Sequence, residues 1–214
     1  MKITWDPGAA SAQNMAADTE LMRRAESGEA SARLYTWETP WVTLGKFQRA
    51  ETALLPACPI GHTIRPTGGK AVLHGHDLTV TLAIPLALIG LPDGSRELKR
   101  AYRAVTEPLI AGLNEGGVSA ALAEQTKFVR SRGKVADCFA HISPNDIVDP
   151  QTGQKVCGCA LQMTQKAILV QSSIPLGPPL VDPRDVYDEP SLGRKTPVAL
   201  EPLVESLTTA LGSF

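Results

Sequence analysis

The feature that most constrains the fold is a glycine turn that leads directly into a long apolar strand, RPTGGKAVLHGHDLTVTLAI at residues 65–84. From residue 78 to residue 83, leucine or valine alternates with threonine or alanine. Alternation with a period of two predicts a β-strand with one well-buried face. We therefore expect this strand to lie in the core of the protein.

The turn that precedes the strand combines two glycines with two basic residues. Gly68 and Gly69 lack a Cβ and can adopt positive φ, so the backbone can turn sharply there and a ligand can approach closely. Arg65 and Lys70 flank the turn. A basic, glycine-lined loop of this kind is suited to holding an anionic ligand.

Length and composition bound the class of protein. The 214 residues are enough for one substantial core, and we expect a single domain over residues 1–214. A formal net charge of −1 gives no field that would attract nucleic acid or an anionic membrane. No apolar run reaches the roughly 18 residues of a membrane span, and the N-terminus lacks a signal-peptide pattern. Four cysteines are too sparse for a disulfide scaffold. We expect a cytoplasmic protein with reduced thiols and no membrane or nucleic-acid partner.

Three segments have helical periodicity. In residues 9–27, Met15, Thr19 and Met22 form one stripe, and Asp18 lies off it. This spacing predicts an amphipathic helix with the stripe facing the core.

The other two helices lie later in the chain. Residues 95–114 form an apolar stripe, with Ser95 as a possible N-cap and Gly116 as a stop signal. Pro108 falls inside this segment and is expected to kink or divide the helix. Residues 178–214 are expected to form a proline-rich surface connection and then a C-terminal helix, in which leucines recur at helical spacing.

Strand patterns outnumber helical ones. The strand candidates are residues 33–37, 118–122, 146–149, 155–163 and 167–174, and the turn PQTG joins the third to the fourth. Hairpin connections favour antiparallel pairing. We therefore predict an α+β fold of mixed, largely antiparallel sheets flanked by helices.

Cys138 is the candidate nucleophile. It lies in KVADCFAHISPNDIV, between Lys134 and His141. Nearby cationic groups lower the pKa of a thiol and favour the reactive thiolate. The residues alone leave open a second interpretation, in which Cys138 is a buried structural thiol.

Cys157 and Cys159 raise the question of zinc. They alternate along a predicted strand and, with Cys138 and His141, give C-x-C and C-x2-H pairs. Structural zinc sites usually take C-x2-C ligands in turns. Two cysteines on either side of Gly158 are more typical of small residues in a tightly packed position, so we expect no metal site.

These segments together resemble the biotin/lipoate protein ligase family. RPTGGKAVLHGHDLT is similar to the family signature R-x-(T/S)-G-G-x-A-V-x-H, which lines a pocket for a lipoyl or octanoyl group. DIVDPQTGQKVCGCALQ is similar to the family's lysine followed by a G-x-A turn. Similarity extends over residues 5–177, and the combination is more specific than any one motif. The resemblance implies that the pocket is lined by Arg65, Thr67, Gly68, Gly69, Lys70, Ala71, His74, Gly158 and Ala160.

The cysteine then selects an activity within the family. CFAHISPNDIV resembles the pattern of cysteine-dependent octanoyltransferases, with Asp146 at the acidic position. The resemblance implies that Cys138 attacks the octanoyl thioester of acyl carrier protein while Lys155 orients the carbonyl. A lysine of a lipoyl domain, such as that of glycine cleavage H protein or a dehydrogenase E2 subunit, then takes the acyl group. This route needs no cofactor.

Lipoate-protein ligases remain an alternative. They would use ATP and Mg to form lipoyl-AMP, with Lys155 binding the phosphate and carboxylate oxygens. The pair Asn145 and Asp146 also resembles the ligases, whereas Lys70 stands where many ligases have a third glycine. Biotin transfer and a non-catalytic acyl- or zinc-binding module are further alternatives. Biotin transfer would need a glycine- and arginine-rich adenylate loop, which the sequence lacks. Loss of Lys155 or Cys138 would have supported the non-catalytic module, and both residues are present.

Overall fold

The structure is a computed structural model that describes residues 1–129, 135–192 and 197–213. The strands are β1 (Lys2–Ala9), β2 (Ser31–Trp37), β3 (Trp41–Leu44), β4 (His62–Ile64), β5 (Val72–His74), β6 (Asp77–Pro85), β7 (Ala121–Leu122), β8 (Ile147–Val148), β9 (Lys155–Met163) and β10 (Ala167–Pro175). The helices are α1 (Ser11–Glu26), α2 (Ala50–Ala53), α3 (Leu98–Glu115) and α4 (Leu200–Gly212).

The strands form two sheets. The larger has the order β1-β2-β6-β10-β9-β8-β7, and all of its pairs are antiparallel except β1 with β2. The smaller has the order β4-β3-β5, with β3 and β4 parallel. The predicted α+β class with mixed, largely antiparallel sheets is confirmed.

Helices cover both faces of the larger sheet. On one face α3 and α4 pack against each other and bury Leu109 and Leu207 in the same cluster as Val80 of β6. On the other face α1 places Met22 in a cluster with Ala83. Each buried leucine contributes about 1.5–3 kcal/mol relative to an exposed one. Every residue of β6 is buried, so the predicted core strand has two buried faces rather than one.

The buried face of α1 differs from the predicted stripe. Asn14, Asp18 and Met22 are buried, whereas Thr19 is exposed. The prediction drew the core-facing stripe through Met15, Thr19 and Met22 and left Asp18 off it, and a carboxylate is rarely buried without partners. Here it has partners: Asp18 Oδ2 accepts a hydrogen bond from the hydroxyl of Tyr35 at 2.8 Å.

The longer predicted helix is confirmed with a later start. α3 begins at Leu98, three residues after the proposed cap, and Ser95 instead accepts a hydrogen bond from the backbone N–H of Glu97 at 3.3 Å. Gly116 ends the helix as expected. The helix is not divided at Pro108. The C-terminal helix α4 also follows the prediction, with its leucine stripe buried.

Several parts of the fold were missed or predicted wrongly, among them the three strands of the smaller sheet. The strand β1 was missed because Pro7 and Gly8 interrupt its pattern, and its pairing with β2 shifts register there. The proline-rich stretch after β10 was expected at the surface, yet Val186 and Tyr187 are buried in the core of the smaller sheet. No helix in the part of the chain that the structure describes is long and apolar enough to cross a membrane.

Candidate active site

A pocket lies between the two sheets. Its floor is a row of residues that pair across neighbouring strands of the larger sheet. Gly158 pairs with Ser173, Ser173 with Thr79, and Thr79 with Tyr35. Cys138 lies at the Gly158 end of this row, because a Cβ on Gly158 would meet the Cys138 sulfur. The row crosses three strand spacings, or roughly 14 Å.

The polar side chains of the floor are hydrogen-bonded to one another. Ser173 and Thr79 donate from their hydroxyls to Asp77 Oδ2, at 2.7 and 3.2 Å. The Trp37 indole N–H donates to the Thr79 hydroxyl at 2.9 Å. Because these groups satisfy each other, the pocket offers a bound molecule mainly carbon surface.

His74 forms a wall of the pocket and is held from three sides. Its Nδ1 lies 2.8 Å from Asp77 Oδ2 and its Nε2 lies 2.8 Å from the Thr43 hydroxyl. A carboxylate only accepts, so Nδ1 donates to Asp77, and Nε2 shares a hydrogen bond with the Thr43 hydroxyl. The ring stacks on Trp37 with centroids 4.0 Å apart. The histidine is thus a fixed part of the wall.

Arg65 shapes the glycine turn rather than presenting its charge to the pocket. Its Nε donates to the Thr67 hydroxyl, and Nη1 donates to the carbonyl and hydroxyl oxygens of Thr43. Its Nη2 donates to the carbonyls of Gly68 and Lys70, at 2.6 and 2.7 Å. These contacts match the five N–H groups of a guanidinium. The buried side chain therefore fixes the loop as a whole.

The glycines of the turn have different roles. Gly69 has φ +86, which favours glycine, whereas Gly68 does not adopt positive φ. Gly45, at the end of β3, was not predicted to matter. A Cβ on Gly45 would collide with the carbonyl oxygen of Gly69, so the two segments approach closely only because Gly45 has no side chain.

A chain of buried hydrogen bonds ties the turn to α1. The Thr67 hydroxyl donates to Gln171 Oε1 at 2.7 Å, and Gln171 Nε2 donates to Asp18 Oδ2 at 2.6 Å. Burial raises the pKa of the Asp18 carboxyl, although its hydrogen bonds oppose the rise. Gln171 lines the pocket and was missed by sequence reasoning. The signal for it was a run of polar residues, QSS, inside a strand that is otherwise apolar.

The loop that carries Cys138 is attached to the glycine turn and to the late part of the chain. The Cys138 N–H donates to the Ala71 carbonyl at 2.8 Å. The preceding residue, Asp137, is buried and accepts hydrogen bonds from the N–H groups of Phe139 at 2.9 Å and Ser191 at 2.6 Å. Asp137 therefore holds the loop from behind while the thiol faces the pocket.

Lys155 stands beside the thiol. Its Nζ lies 3.2 Å from Cys138 Sγ, 2.9 Å from the Cys138 carbonyl oxygen and 2.9 Å from Asp146 Oδ2. Asp146 Oδ2 also accepts the N–H of Ser143 at 2.7 Å. The side chains of Lys155 and Asp146 are buried, so the ion pair is largely shielded from solvent.

The charges of this cluster follow from burial and pairing. Burial raises the pKa of the Cys138 thiol, and the neighbouring Lys155 ammonium opposes that rise. For Lys155, burial would lower the pKa, but the negative charges of Cys138 and Asp146 raise it above its ordinary value. Lys155 is therefore a cation at neutral pH, suited to stabilising a thiolate or a developing oxyanion rather than to accepting a proton.

An irregularity in β9 separates the three central cysteines. The pairing of β8 with β9 shifts register near the start of β9. Consecutive residues of a regular strand point to opposite faces, yet Val156 and Cys157 both lie in the main core. Lys155 and Gly158 consequently both face Cys138. Cys157 and Cys159 pair with each other instead, with their sulfurs 3.8 Å apart. Within the described ranges, no three His, Cys, Asp or Glu side chains come together as metal ligands would.

The structure brings most of the predicted site residues together. Those that line the pocket are Arg65, His74, Cys138, Gly158 and Ala160. Thr67, Ala71 and Lys155 hydrogen-bond to those residues, and Asp146 pairs with Lys155. The Lys70 ammonium instead donates to the Val135 carbonyl at 2.5 Å. Lys134, expected near the thiol, lies outside the described residues. The pocket residues missed from sequence, besides Gln171, include Met15, Trp37, Thr43, Val72, Thr79 and Ser173.

Solved structures with this architecture are lipoate-protein ligases. The bipartite ligase of Thermoplasma acidophilum, described with its E2 lipoyl domain, has a TM-score of 0.72 and 19% identity, over 100% of this chain and 83% of that one. A lipoate-protein ligase A bound with ATP has a TM-score of 0.74 and 20% identity, over 99% of this chain and 83% of that one. The fold is thus that of lipoate-protein ligases.

Sequence comparison shows the family. The model for the lipoyl protein ligase A/B catalytic domain matches residues 10–213, and the chain belongs to this family. It is 34% identical to octanoyltransferase LipM of Kyrpidia tusciae, over 74% of this chain and 59% of that protein. It is 35% identical to octanoyltransferase LipM of an Exiguobacterium species, over 83% of this chain and 65% of that protein. The aligned region thus covers less than two thirds of each relative.

Proposed function

We propose that this protein is an octanoyltransferase of protein lipoylation, which moves an octanoyl group from acyl carrier protein to a lysine of a lipoyl domain through an acyl-enzyme on Cys138. The observation that carries the proposal is the position of the thiol, 3.2 Å from the Lys155 ammonium and at one end of a carbon-lined pocket. The named octanoyltransferase relatives support the same activity.

The pocket suits an acyl chain in shape and chemistry. Its floor runs roughly 14 Å across the sheet, which exceeds the length of an extended octanoyl group. The hydroxyls on the floor are already hydrogen-bonded to Asp77, so an apolar chain would leave none of them unpaired. The chain would lie along this row with its carbonyl carbon at Cys138.

The first half-reaction is a thioester exchange. The Cys138 thiolate attacks the octanoyl carbonyl, and the Lys155 ammonium stabilises the negative charge that develops on sulfur and then on oxygen. The bond to the carrier's thiol breaks, and that thiol takes up the proton that Cys138 gave to solvent. The product is an octanoyl thioester on Cys138, and no ATP is consumed.

The second half-reaction forms an amide. The neutral ε-amine of the acceptor lysine attacks the Cys138 thioester, the carbon–sulfur bond breaks, and the amine loses a proton as Cys138 returns to its thiol form. Acceptors of this kind are lipoyl domains such as those of glycine cleavage H protein or a dehydrogenase E2 subunit. We place the reaction in the cytoplasm, where the four free cysteines would stay reduced.

Intact-mass spectrometry tests the proposal. After mixing with octanoyl-acyl carrier protein, the protein is expected to gain one octanoyl group that hydroxylamine removes. Cys138→Ser abolishes the adduct, whereas Cys58→Ser, which changes a cysteine outside the pocket, keeps it. Absence of the adduct contradicts the acyl-enzyme. Modification of a lipoyl domain by free lipoate that requires ATP and Mg, and survives Cys138→Ser, would identify a ligase.

A further inference from the structure

The turn after β3, residues 45–49, carries the most exposed large apolar side chain in the described part of the chain. Phe47 is 87% exposed. It is flanked by Lys46 and Arg49, which are also exposed. Single exposed apolar residues are common on protein surfaces. This one is distinguished by where the turn is attached.

The turn is connected to both loops of the active site. The Lys46 N–H donates to the Thr67 carbonyl in the glycine turn at 2.9 Å. Gln48 Nε2 donates to the carbonyl of Ala136, two residues before the nucleophile, at 3.3 Å, and Gln48 Oε1 accepts the N–H of Gly45 at 3.0 Å. The Phe47 ring lies beside Gly68, where a Cβ would be 4.0 Å from Cε2. A partner seated on this turn would therefore lie next to the thiol.

The neighbouring strand extends the apolar surface. Ile64 of β4 is 57% exposed, and the Arg65 N–H that follows it donates to the Leu44 carbonyl at 2.9 Å. The segments that bear Phe47 and Ile64 therefore run side by side along the rim of the site. Aromatic side chains and arginine are the residue types most enriched among those that dominate protein–protein binding energy.

We propose that the 45–49 turn is the docking site of the acidic carrier protein that delivers the acyl thioester, with Phe47 as the apolar anchor and Lys46 and Arg49 as the complementary charges. This inference rests on the proposed function. The net charge of the chain is only −1, so attraction of an acidic partner must come from local groups such as these two cations. A carrier bound here places its thioester arm beside the glycine turn and the Cys138 loop, to both of which the 45–49 turn is hydrogen-bonded.

Steady-state kinetics with two donors separate docking from chemistry. With octanoyl-acyl carrier protein, Phe47→Ala is expected to raise KM at least about fivefold, the effect of removing an interface anchor. With the octanoyl thioester of N-acetylcysteamine, which has no protein to dock, kcat/KM stays within about twofold of wild type. Leu88→Ala is the matched control, because it truncates an apolar side chain that is 60% exposed and lies outside the turn and the pocket. It is expected to leave the kinetic constants for both donors unchanged.

Charge removal gives a second readout. For the wild type, KM for the carrier is expected to rise with salt concentration. In the double variant Lys46→Ala/Arg49→Ala, KM is expected to depend less on salt. Three results with Phe47→Ala would overturn the docking site: an unchanged KM for the carrier, an equal effect on both donors, or a rise only in the KM for the lipoyl domain. Transfer by the wild type would still uphold the proposed function in each of these cases. Wild-type protein that uses neither donor contradicts both.

Discussion

Gly158 lies directly under Cys138, since a Cβ on Gly158 would be 3.1 Å from Cys138 Sγ and 3.2 Å from Lys155 Cε. Gly158→Ala should therefore push the thiol and the ammonium apart. The cost in unfolding free energy is about 1–2 kcal/mol, typical of slight overpacking. We expect acylation of Cys138 to slow at least tenfold in single-turnover mass spectrometry. Gly177→Ala, which meets no atom within 4 Å, is the matched control, and equal rates in the two variants would contradict the argument.

Lys155→Met should make Cys138 harder to ionise. Burial raises the pKa of the thiol and the Lys155 cation opposes the rise, so removing the cation moves the pKa further upward. The thiolate then forms only at higher pH. Alkylation of Cys138 by iodoacetamide, followed by peptide mass spectrometry, should show a pH midpoint above that of wild type. Lys166→Met, the same change at an exposed lysine, should leave the midpoint in place.

Asp146→Asn tests the buried ion pair. The substitution leaves the Lys155 ammonium buried with one fewer anion, which costs about 3 kcal/mol of unfolding free energy when one partner of such a pair is removed. Because Lys155→Met removes the cation itself, the double variant should lose less stability than the sum of the single variants. Urea unfolding of the four proteins measures this coupling. If the losses of unfolding free energy in the two single variants simply add in the double variant, the ion pair contributes nothing to stability.

Arg65→Lys should behave as a severe substitution. An ammonium has three N–H donors and cannot reach the acceptors that the guanidinium fork spans in the glycine turn. We expect a loss of about 2–3 kcal/mol in unfolding free energy from the buried acceptors left unpaired. The comparison is Arg184→Lys, an exposed site where the change should stay within about 0.5 kcal/mol. Denaturant unfolding curves of both variants decide the matter.

Asp18→Asn should weaken the pH dependence of stability. The pKa of Asp18 is raised in the folded protein, so the folded state keeps a proton that the unfolded chain has lost above its ordinary value of 3.8. Stability from this residue is therefore greatest below that value and falls as the pH rises through the raised pKa, by at most about 1.4 kcal/mol per pH unit. Asparagine does not titrate. Urea unfolding between pH 4 and pH 7 should give a shallower decline for the variant, and parallel curves would refute the assignment.

Sequence reasoning worked where one physical cause dominates. The α4 stripe of Leu203, Leu207 and Leu211 and the core position of β6 were both predicted, because period and hydrophobicity agree there, although β6 is buried on both faces. It was wrong about Asp18 because its partners, Tyr35, Thr81 and Gln171, come from distant strands that only the tertiary fold brings together. No local pattern records such a network.

The candidate site divides in the same way. Cys138 and the glycine turn were singled out from short contiguous motifs, and the family resemblance added Lys155 and a role for each. The floor of the pocket was not predicted, because Thr79, Ser173 and the adjoining Trp37 lie far apart in sequence and meet only in the folded sheet. The irregular step in β9, which turns Lys155 toward the thiol, also depends on pairing with β8 and has no signature of its own.

The hydrogen bond between Asp137 and the backbone of Ser191 has a consequence for biosynthesis. The residue before the nucleophile is secured by a segment that the ribosome makes more than fifty residues later. A nascent chain that has already exposed Cys138 therefore still lacks the group that fixes its position. Under the proposed function, the Cys138 loop of the growing polypeptide is held as in the folded protein only after that segment has left the exit tunnel and reached Asp137.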